Sequence, residues 1–292
     1  MKLIDGHKIA NRIKDEIVRE VIKENGGEGD LSKDKAKAEE RPNLAIILIG
    51  EREDSKLYVN LKEKEAKKVG VDTHLYRLPE DVEEEEVKEA IKHLNKDSQI
   101  DGILLQLPLP KQLNTDEIVA TIDPAKDVDR FHPENLKTLQ ETCSHGHVMP
   151  PLFQVILEVL KEANFDLKES RVCILANSKI FSNALKAVLE CKGAQVDIAG
   201  PYDEKLTEKT RQADLLITAI GQPHFVKKEM LKKDAGIIDI GITKEGKYVL
   251  GDVDQEDIKE KASFLTPVPG GVGPITIAAA LKNTLKLFKE KN

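Results

Sequence analysis

Three polar side chains in the first third of the chain are spaced so that they could act together. Ser55, Tyr58 and Lys62 stand at positions i, i+3 and i+7, and these positions share one face of an α-helix. A lysine is a weak base at its ordinary pKa of about 10.4, but burial lowers that pKa towards neutrality. A buried Lys62 could therefore exchange protons with a substrate, whereas an exposed one would only be a solvated surface charge.

Two further polar positions could join that helix face. Gln106 stands near the end of the apolar run 100–110, where open α/β sheets place their ligands. It could equally be a hydrogen-bonded amide at a strand end. Asp127 and Asp129 lie in a segment with a proline at each side, where carboxylates either bind a ligand or cap turns. No metal site is expected.

The segment 266–276, TPVPGGVGPIT, has the least ordinary composition in the chain. Its prolines fix the backbone, and its glycines let the backbone approach another group closely. A plain tight turn would not need so many of both. The composition therefore predicts a functional turn.

Strands and helices alternate along the chain, which predicts βαβ units and parallel sheet. The run 44–50 is typical of a strand buried on both faces. The helix that carries Lys62 is predicted over 54–70, with Asp54 or Ser55 capping its start and Gly70 its end. The other elements predicted in the first half are a helix carrying Ile9, Ile13, Ile17 and Val21, a strand at 73–78, a helix at 81–97 and a strand at 100–110.

A second α/β unit begins near residue 152 and resembles a Rossmann-like, doubly wound domain. The charged, glycine-bearing stretch 24–43 is predicted to be a surface loop, because the strand after it is needed to complete the first domain. The fold class is therefore α/β in two domains. The later predicted elements are helices at 152–163, 182–192 and 204–212, strands at 171–175, 195–199, 214–219 and 235–240, and a last helix at 275–289.

Composition narrows the class of protein. A length of 292 residues favours two domains. The net charge of −7 argues against general nucleic-acid binding, which needs a basic face. No apolar run approaches the ~20 residues of a membrane span. Cys143, Cys173 and Cys191 form no CxxC pair, so a disulfide framework is not expected and a reducing cytoplasm is favoured.

Six motifs are spread over both halves of the chain. They resemble those of the bifunctional methylenetetrahydrofolate dehydrogenase–cyclohydrolases and occur in the same order as in that family. The resemblance covers nearly the whole chain. The QLPLP strand end and the PGGVGP turn are the most specific of them. In chain order the motifs are SKLYVNLKEKEAKKVGV, DGILLQLPLP, KDVDRFHP, DLLITAIGQP, IIDIGI and TPVPGGVGPIT.

The resemblance implies an enzyme of folate one-carbon metabolism, linked to purine biosynthesis. It implies a folate-binding catalytic domain at 1–149 and 275–292, to which the C-terminal helix returns, and a Rossmann-like NAD(P)-binding domain at 150–274, with tetrahydrofolate as substrate in the cleft between them. The expected reactions are hydrolysis of 5,10-methenyltetrahydrofolate and oxidation of 5,10-methylenetetrahydrofolate with NADP. A cytoplasmic homodimer is expected, with no nucleic-acid or membrane partner.

The resemblance also assigns roles to residues. Lys62 is the catalytic acid–base, Tyr58 orients it and packs beside the folate, and Gln106 hydrogen-bonds it. Asp129 grips the pterin ring, which suits a carboxylate because it can accept two adjacent N–H groups. The remaining assignments are Ser55, Gly270, Gly271, Val272 and Pro274 to substrate binding, and Ala176, Asn177, Ser178 and Ile242 to cofactor binding.

One departure lies beside Asp129. The family usually has glycine where this chain has Arg130, and a glycine there can adopt a positive φ that arginine resists. Three alternatives stay open. Arg130 distorts the turn, points outward, or helps to bind the glutamate carboxylates of the folate.

Other departures fall on the nucleotide side. Ala176 and Ser182 replace two glycines of the phosphate loop, and each adds a Cβ where a diphosphate approaches. Phe181 either fills space there or packs inward. Residues 200–204 carry acids where the family holds the 2′-phosphate, which suits a ribose hydroxyl better. In the segment 150–155, this chain lacks a threonine and a glycine that family members have near the cofactor side of the cleft.

These departures lead to a hypothesis about the balance of activities. Cyclohydrolase activity is the better supported half, and dehydrogenase activity is weakened, switched towards NAD, or lost. An alternative is a catalytically silent relative that binds folate or serves as a partner subunit. The complete catalytic set argues against it, and a different NAD-linked dehydrogenase lacks motif support.

Overall fold

The structure, a computed structural model, describes residues 1–24, 41–142, 148–246 and 248–291. Most of the predicted loop 24–43 and all of Cys143 therefore lie outside the described residues. The described strands are β1 (Lys2–Leu3), β2 (Asn43–Ile49), β3 (Asp72–Leu78), β4 (Gly102–Leu105), β5 (Arg171–Ala176), β6 (Gln195–Ala199), β7 (Leu215–Ala219), β8 (Ala235–Asp239), β9 (Thr243–Glu245), β10 (Tyr248–Leu250) and β11 (Ala262–Leu265).

Helices separate most of these strands, as the sequence predicts. None of the described helices is long and apolar enough to cross a membrane. The described α-helices are α1 (Gly6–Glu24), α2 (Glu53–Val69), α3 (Glu84–Lys96), α4 (Thr115–Val119), α5 (Pro133–Thr142), α6 (Pro151–Ala163), α7 (Lys179–Glu190), α8 (Leu206–Gln212), α9 (Gln255–Ile258) and α10 (Val272–Lys291).

The chain folds into two compact units. Unit 1 comprises Met1–Ala10, Thr138–His145 and Leu152–Thr276. Unit 2 comprises Asn11–Lys137, Gly146–Pro151 and Ile277–Asn292. The domain limits expected from the sequence, 1–149 with 275–292 and 150–274, stay a prediction.

Unit 2 is built on a three-stranded parallel sheet of order β3–β2–β4. The central strand β2 is buried from Leu44 to Ile49, as its continuous apolar run predicts. Alternate residues of a strand point to one face, and Ala45, Ile47 and Ile49 share a core cluster with Ile91 of α3. This packing fixes the strand ends from which the polar side chains project.

Unit 1 is built on a six-stranded sheet of order β1–β11–β8–β7–β5–β6, and all its strand pairs are parallel. The strand that follows β5 in sequence, β6, lies on one side of it, and β7 lies on the other. The carboxyl ends of β5 and β7 therefore border a topological switch point, where doubly wound sheets bind ligands. The predicted α/β, Rossmann-like class is confirmed.

Several element boundaries differ from those expected. β4 ends at Leu105, well before the predicted residue 110, because Pro108 and Pro110 have no N–H to continue a ladder. Arg52, rather than Asp54 or Ser55, is the N-cap residue of α2, whereas Gly70 caps its end in the left-handed conformation, as predicted. The short strands β1, β9, β10 and β11 lack a sequence pattern long enough to predict them.

The cysteines differ from one another. Cys173 is free and fully buried in β5, as expected of a small core residue. Cys191, directly after α7, is disulfide-bonded. The sequence gives no local signal for this bond, since it predicts only that the cysteines form no disulfide framework.

Candidate active site

Helix α2 presents the predicted polar face. Ser55 is 3% exposed, while Tyr58 and Lys62 are half-buried. The Lys62 Nζ donates a hydrogen bond of 2.8 Å to the Oε1 of Gln106. The structure therefore brings together the lysine and the glutamine that lie 44 residues apart in sequence.

Gln106 is held in place by its own backbone and side chain. Its N–H donates to the carbonyl of Ile47 at 2.9 Å, which extends the pairing with β2 by one residue. Its Nε2 donates to the carbonyl of Leu107 at 2.7 Å. Because the amide nitrogen is used there, the amide oxygen faces Lys62 as an acceptor.

Lys62 and Asp129 influence each other's protonation. Burial lowers the pKa of the Lys62 amine, and the nearby charge of Asp129 opposes that shift. Burial raises the pKa of Asp129 to about 6, while Lys62 lowers it and Asp127 raises it further. Both shifts favour neutral forms, so the amine can accept a proton closer to neutral pH than an exposed lysine can.

The two aspartates of the loop after α4 have different environments. Asp127 is 2% exposed and accepts hydrogen bonds from the backbone N–H of His132 at 2.8 Å and from Asn135 Nδ2 at 3.2 Å. It therefore holds the loop together, which is the turn-capping alternative. Asp129 is the carboxylate that interacts with the charge of Lys62.

Arg130 adopts the backbone conformation that the family's glycine would suit. Its φ is +58°, in the left-handed region, which costs an L-residue about 1–2 kcal/mol. The guanidinium turns into the loop, where Nη1 donates to the carbonyl of Pro124 at 2.7 Å. The alternative of an outward side chain is wrong, because the guanidinium bonds within the loop. The other two alternatives, a distorted turn and binding of the glutamate carboxylates, stay predictions.

Ser55 and Tyr58 add polar groups to the same face. The Oγ of Ser55 is buried and has no hydrogen-bond partner among the described residues. A buried hydroxyl without a partner costs about 1–3 kcal/mol, and a polar group of a ligand would remove that cost. Burial, with a smaller effect of the Asp54 charge, raises the pKa of Tyr58.

The glycine-rich turn belongs to unit 1, not to the unit of Lys62. Gly270 has φ +98°, and a Cβ at Gly271 would lie 2.5 Å from the carbonyl oxygen of Pro267. The backbone N–H of Gly6 donates to Gly270 at 3.0 Å, and a Cβ on Gly6 would overlap Gly271. The positive φ thus explains Gly270, the close approach within the turn explains Gly271, and the packing of α1 on the turn explains Gly6. The role of Gly270 and Gly271 in substrate binding stays a prediction. Val272 and Pro274 lie in the first turn of α10.

The altered phosphate loop lies at the carboxyl end of β5. Ala176 is 7% and Ser182 1% exposed, and the Ser182 hydroxyl donates to the Ser178 carbonyl at 2.7 Å. Both replacement side chains are therefore buried, and the Ser182 hydroxyl is satisfied within the first turn of α7. Phe181 is also buried, with its ring 5.7 Å from that of Phe153. The inward-packing alternative for Phe181 is confirmed, while the effect of the two replaced glycines on a diphosphate stays a prediction.

The exposed residues of the loop form its outer edge. Ser178 is the N-cap of α7, and its Oγ accepts from the N–H of Phe181 at 3.2 Å. The Nδ2 of Asn177 donates to the carbonyl of Ile220 at 2.7 Å, across the switch point. Ile242, which follows β8, is 43% exposed.

The acid expected to meet the ribose has partners of its own. Asp203 accepts from Lys209 Nζ at 2.7 Å and from the N–H of Lys205 at 2.8 Å. The hydrogen bond from Lys209 lowers the pKa of Asp203 and compensates its charge. Asp203 therefore repels a 2′-phosphate less than the sequence alone suggests.

Asp129 should make stability depend on pH. Its folded-state pKa of about 6 exceeds the ordinary value of 3.8, so the stability present at low pH is lost as the pH rises through 6. The unfolding free energy of Asp129→Asn minus that of the unaltered chain is the quantity compared at the two pH values. We expect this difference to be about 1–3 kcal/mol larger at pH 7 than at pH 4. Urea unfolding at both pH values measures this. A difference that is independent of pH would contradict the assignment.

The backbone of Arg130 gives a second test. Arg130→Ala and Arg130→Gly both lose the bond to Pro124, but only alanine keeps the cost of a positive φ. We expect the alanine variant to be about 1 kcal/mol less stable than the glycine variant in urea unfolding. The exposed helical residue Lys64 is the control, since there alanine should be about 1 kcal/mol more stable than glycine. The same order at both positions would contradict the account.

Comparison with known proteins agrees with this geometry. Residues 4–129 match the catalytic domain, and residues 150–292 the NAD(P)-binding domain, of the tetrahydrofolate dehydrogenase/cyclohydrolase family. The chain is 40% identical over 291 residues to the bifunctional protein FolD of Nitratiruptor sp., covering 100% of this chain and 99% of that protein.

Solved structures show the same relationship. The bifunctional enzyme FolD, methylenetetrahydrofolate dehydrogenase/cyclohydrolase, from Campylobacter jejuni matches with a TM-score of 0.89 and 34% identity over 100% of both chains. The Trypanosoma brucei enzyme, complexed with NADP cofactor and inhibitor, matches with a TM-score of 0.88 and 30% identity, covering 99% of this chain and 97% of that one. The chain therefore belongs to the tetrahydrofolate dehydrogenase/cyclohydrolase family.

Proposed function

We propose that the chain hydrolyses 5,10-methenyltetrahydrofolate to 10-formyltetrahydrofolate and also oxidises 5,10-methylenetetrahydrofolate with a nicotinamide dinucleotide. The 2.8 Å hydrogen bond between Lys62 and Gln106, with the Asp129 charge acting on the same amine, carries the first half of this proposal. Family membership supports the second half.

In the hydrolysis, Lys62 moves the proton. The neutral amine accepts a proton from water as the water oxygen bonds to the methenyl carbon. The bond from that carbon to N5 then breaks, and the Lys62 ammonium returns a proton to N5. The overall reaction consumes one water and releases one proton to solvent, because the cationic substrate becomes a neutral formamide.

The neighbours of Lys62 prepare it for this role. Gln106 accepts from the amine and fixes its direction. Burial lowers the pKa of the amine, which increases the neutral fraction that general base catalysis needs. Tyr58 and Ser55 lie on the same helix face, and we assign them to orienting Lys62 and to binding substrate. Asp129 binds the adjacent N–H donors of the pterin ring.

The nucleotide unit fits a dinucleotide in part. Ala176 and Ser182 are buried, while residues 177–180 at the start of α7 are exposed, where backbone N–H groups suit a phosphate. Asn177, Ser178 and Ile242 are the residues that would hold the dinucleotide, which when bound supplies a hydride acceptor. The chain's part is to place it at the switch point.

Cofactor choice follows from the end of β6. Residues 200–204 are Gly, Pro, Tyr, Asp and Glu, without a cation of their own for a 2′-phosphate. The compensated charge of Asp203 weakens the repulsion of NADP but adds no attraction. We therefore propose that dehydrogenase activity is retained with reduced preference for NADP over NAD. A homodimer and a cytoplasmic location stay predictions from the family resemblance.

Replacing Lys62 tests the hydrolytic half. We expect Lys62→Met to lower cyclohydrolase kcat by about 10²- to 10⁴-fold, while a single cooperative urea unfolding transition shows that the variant is folded. Lys62→Arg should be nearly as inactive, because arginine keeps the charge but does not titrate near neutral pH. Lys64→Met, at an exposed lysine of the same helix, is the matched control and should keep full activity. Retained activity in Lys62→Met would exclude the proposed role of Lys62.

Titration with both dinucleotides tests the other half. Reduction of each is followed at 340 nm with 5,10-methylenetetrahydrofolate as the hydride donor, next to the cyclohydrolase assay. We expect turnover with both, and KM values for NADP and NAD within roughly tenfold, a difference of about 1.4 kcal/mol. Turnover with NADP alone would show that the 2′-phosphate is recognised. No turnover with either, while hydrolysis persists, would favour loss of the dehydrogenase activity.

A further inference from the structure

Two buried carboxylates behind the switch point have no part in the proposed chemistry. Asp239 ends β8 and is 2% exposed, and Asp252 follows β10 and is fully buried. Buried carboxylates are rare unless paired or hydrogen-bonded. Each of these two accepts several hydrogen bonds from loops at the carboxyl edge of the sheet.

Asp252 holds the loop that follows β7. Its Oδ2 accepts from the hydroxyl of Thr218 at 2.8 Å and from the N–H of Ile220 at 2.8 Å. Its Oδ1 accepts from the N–H of Gln222 at 2.8 Å. One carboxylate therefore sets the path of 220–222, a segment in which Gly221 has φ +65°.

Asp239 holds the turn that follows β8. Its Oδ1 accepts from the N–H groups of Gly241 at 3.0 Å and Asp252 at 3.2 Å, and its Oδ2 accepts from Val253 at 3.0 Å. A Cβ on Gly241 would overlap the carboxylate of Asp252, and one on Gly251 would overlap that of Asp239. The backbone at Gly241 and at Gly251 thus lies so close to these carboxylates that there is no room for a side chain.

The loop held by Asp252 reaches the candidate cofactor residues directly. The carbonyl of Ile220 accepts from Asn177 at 2.7 Å, and the carbonyl of Gly221 accepts from the hydroxyl of Thr243 at 3.1 Å. The turn held by Asp239 leads to Ile242. Displacing either carboxylate would therefore move both sides of the switch point.

We propose that Asp239 and Asp252 are positioning residues that hold loops 220–222 and 240–242 in the shape that binds the nicotinamide dinucleotide. This inference rests on the proposed dehydrogenase function. It adds two residues that act through backbone N–H groups rather than by touching the cofactor.

The pair should also respond to pH. Burial, together with the charge of Asp252, raises the pKa of Asp239 to about 7. A cavity of about 130 Å³ beside Asp239 is lined by three other titratable side chains, His224, Asp254 and Glu256, and Asp254 is paired with Lys227. Above pH 7 two buried like charges repel each other across the loops they hold.

Dinucleotide binding by the full chain tests the proposal. The Kd for NADPH and for NADH is measured by calorimetry for the unaltered chain and for Asp252→Asn, in which an amide donor faces a backbone donor. We expect a Kd at least about tenfold higher, as for one lost buried hydrogen bond, and cyclohydrolase activity within about twofold. Asp254→Asn is the control, because Asp254 pairs with Lys227 and caps α9 instead, and it should bind like the unaltered chain.

Two further variants separate positioning from folding. Thr218→Val removes one donor to Asp252 and keeps the side-chain shape, and we expect it to raise the Kd roughly threefold. This variant tests the proposal even where Asp252→Asn does not fold. Asp239→Asn cannot ionise, so the ratio of unaltered to variant Kd should rise several-fold between pH 6 and pH 8. Taking this ratio cancels the titration of the dinucleotide.

The outcomes distinguish the two levels of the account. An unchanged Kd in Asp252→Asn and Thr218→Val, with the unaltered chain binding normally, would overturn the inference alone. A ratio for Asp239→Asn that does not change with pH would remove the role of Asp239. If the unaltered chain binds neither dinucleotide, the proposed dehydrogenase function fails and the inference fails with it, while the cyclohydrolase assay still stands.

Discussion

Burial of a lysine amine disfavours its charged form relative to its neutral form. The rest of unit 2 positions the groups that meet at Lys62. The amine lies on α2, and its acceptor, Gln106, follows β4. The sheet must therefore hold the two elements in register, and β2, which is buried from Leu44 to Ile49, pairs with the backbone of Gln106.

The charges near Lys62 are balanced rather than simply paired. Asp129 favours the ammonium, while burial favours the amine, and the same burial raises the pKa of Asp129. A full salt bridge would keep the lysine charged, and full isolation would leave the site without a carboxylate for the substrate. Asp127 and Arg130 fix the loop that places Asp129, so the balance depends on a turn held in a left-handed conformation.

Sequence reasoning predicted much of this arrangement. Regular spacing predicted α1, α2 and the alternation of strand and helix, because burial imposes those periods. The face of Ser55, Tyr58 and Lys62 followed from helix geometry, but its meeting with Gln106 needed the family resemblance, because tertiary pairing leaves no local pattern. The predicted ends of β4 and the predicted N-cap of α2 were wrong, because prolines or an unusual cap residue decide where these elements end.

The nucleotide side was harder to predict. Loss of glycine shows where a Cβ is added, but the packing of that side chain is not recorded in the sequence, and the Ser182 hydroxyl donates to the carbonyl of Ser178. The sequence gives Asp203 no evident partner, but in the structure Lys209 donates a hydrogen bond to it. The roles of Asp239 and Asp252 depend on backbone N–H groups from distant loops, which no side-chain pattern records.

The central claim is that the Lys62 amine titrates well below an ordinary lysine. Direct NMR titration of the Lys62 side chain, assigned with Lys62→Arg as the reference, measures this. The account predicts a midpoint clearly below the usual value of about 10.4, and a further fall when Asp129→Asn removes the opposing charge. A midpoint at the usual value in both proteins would contradict the account.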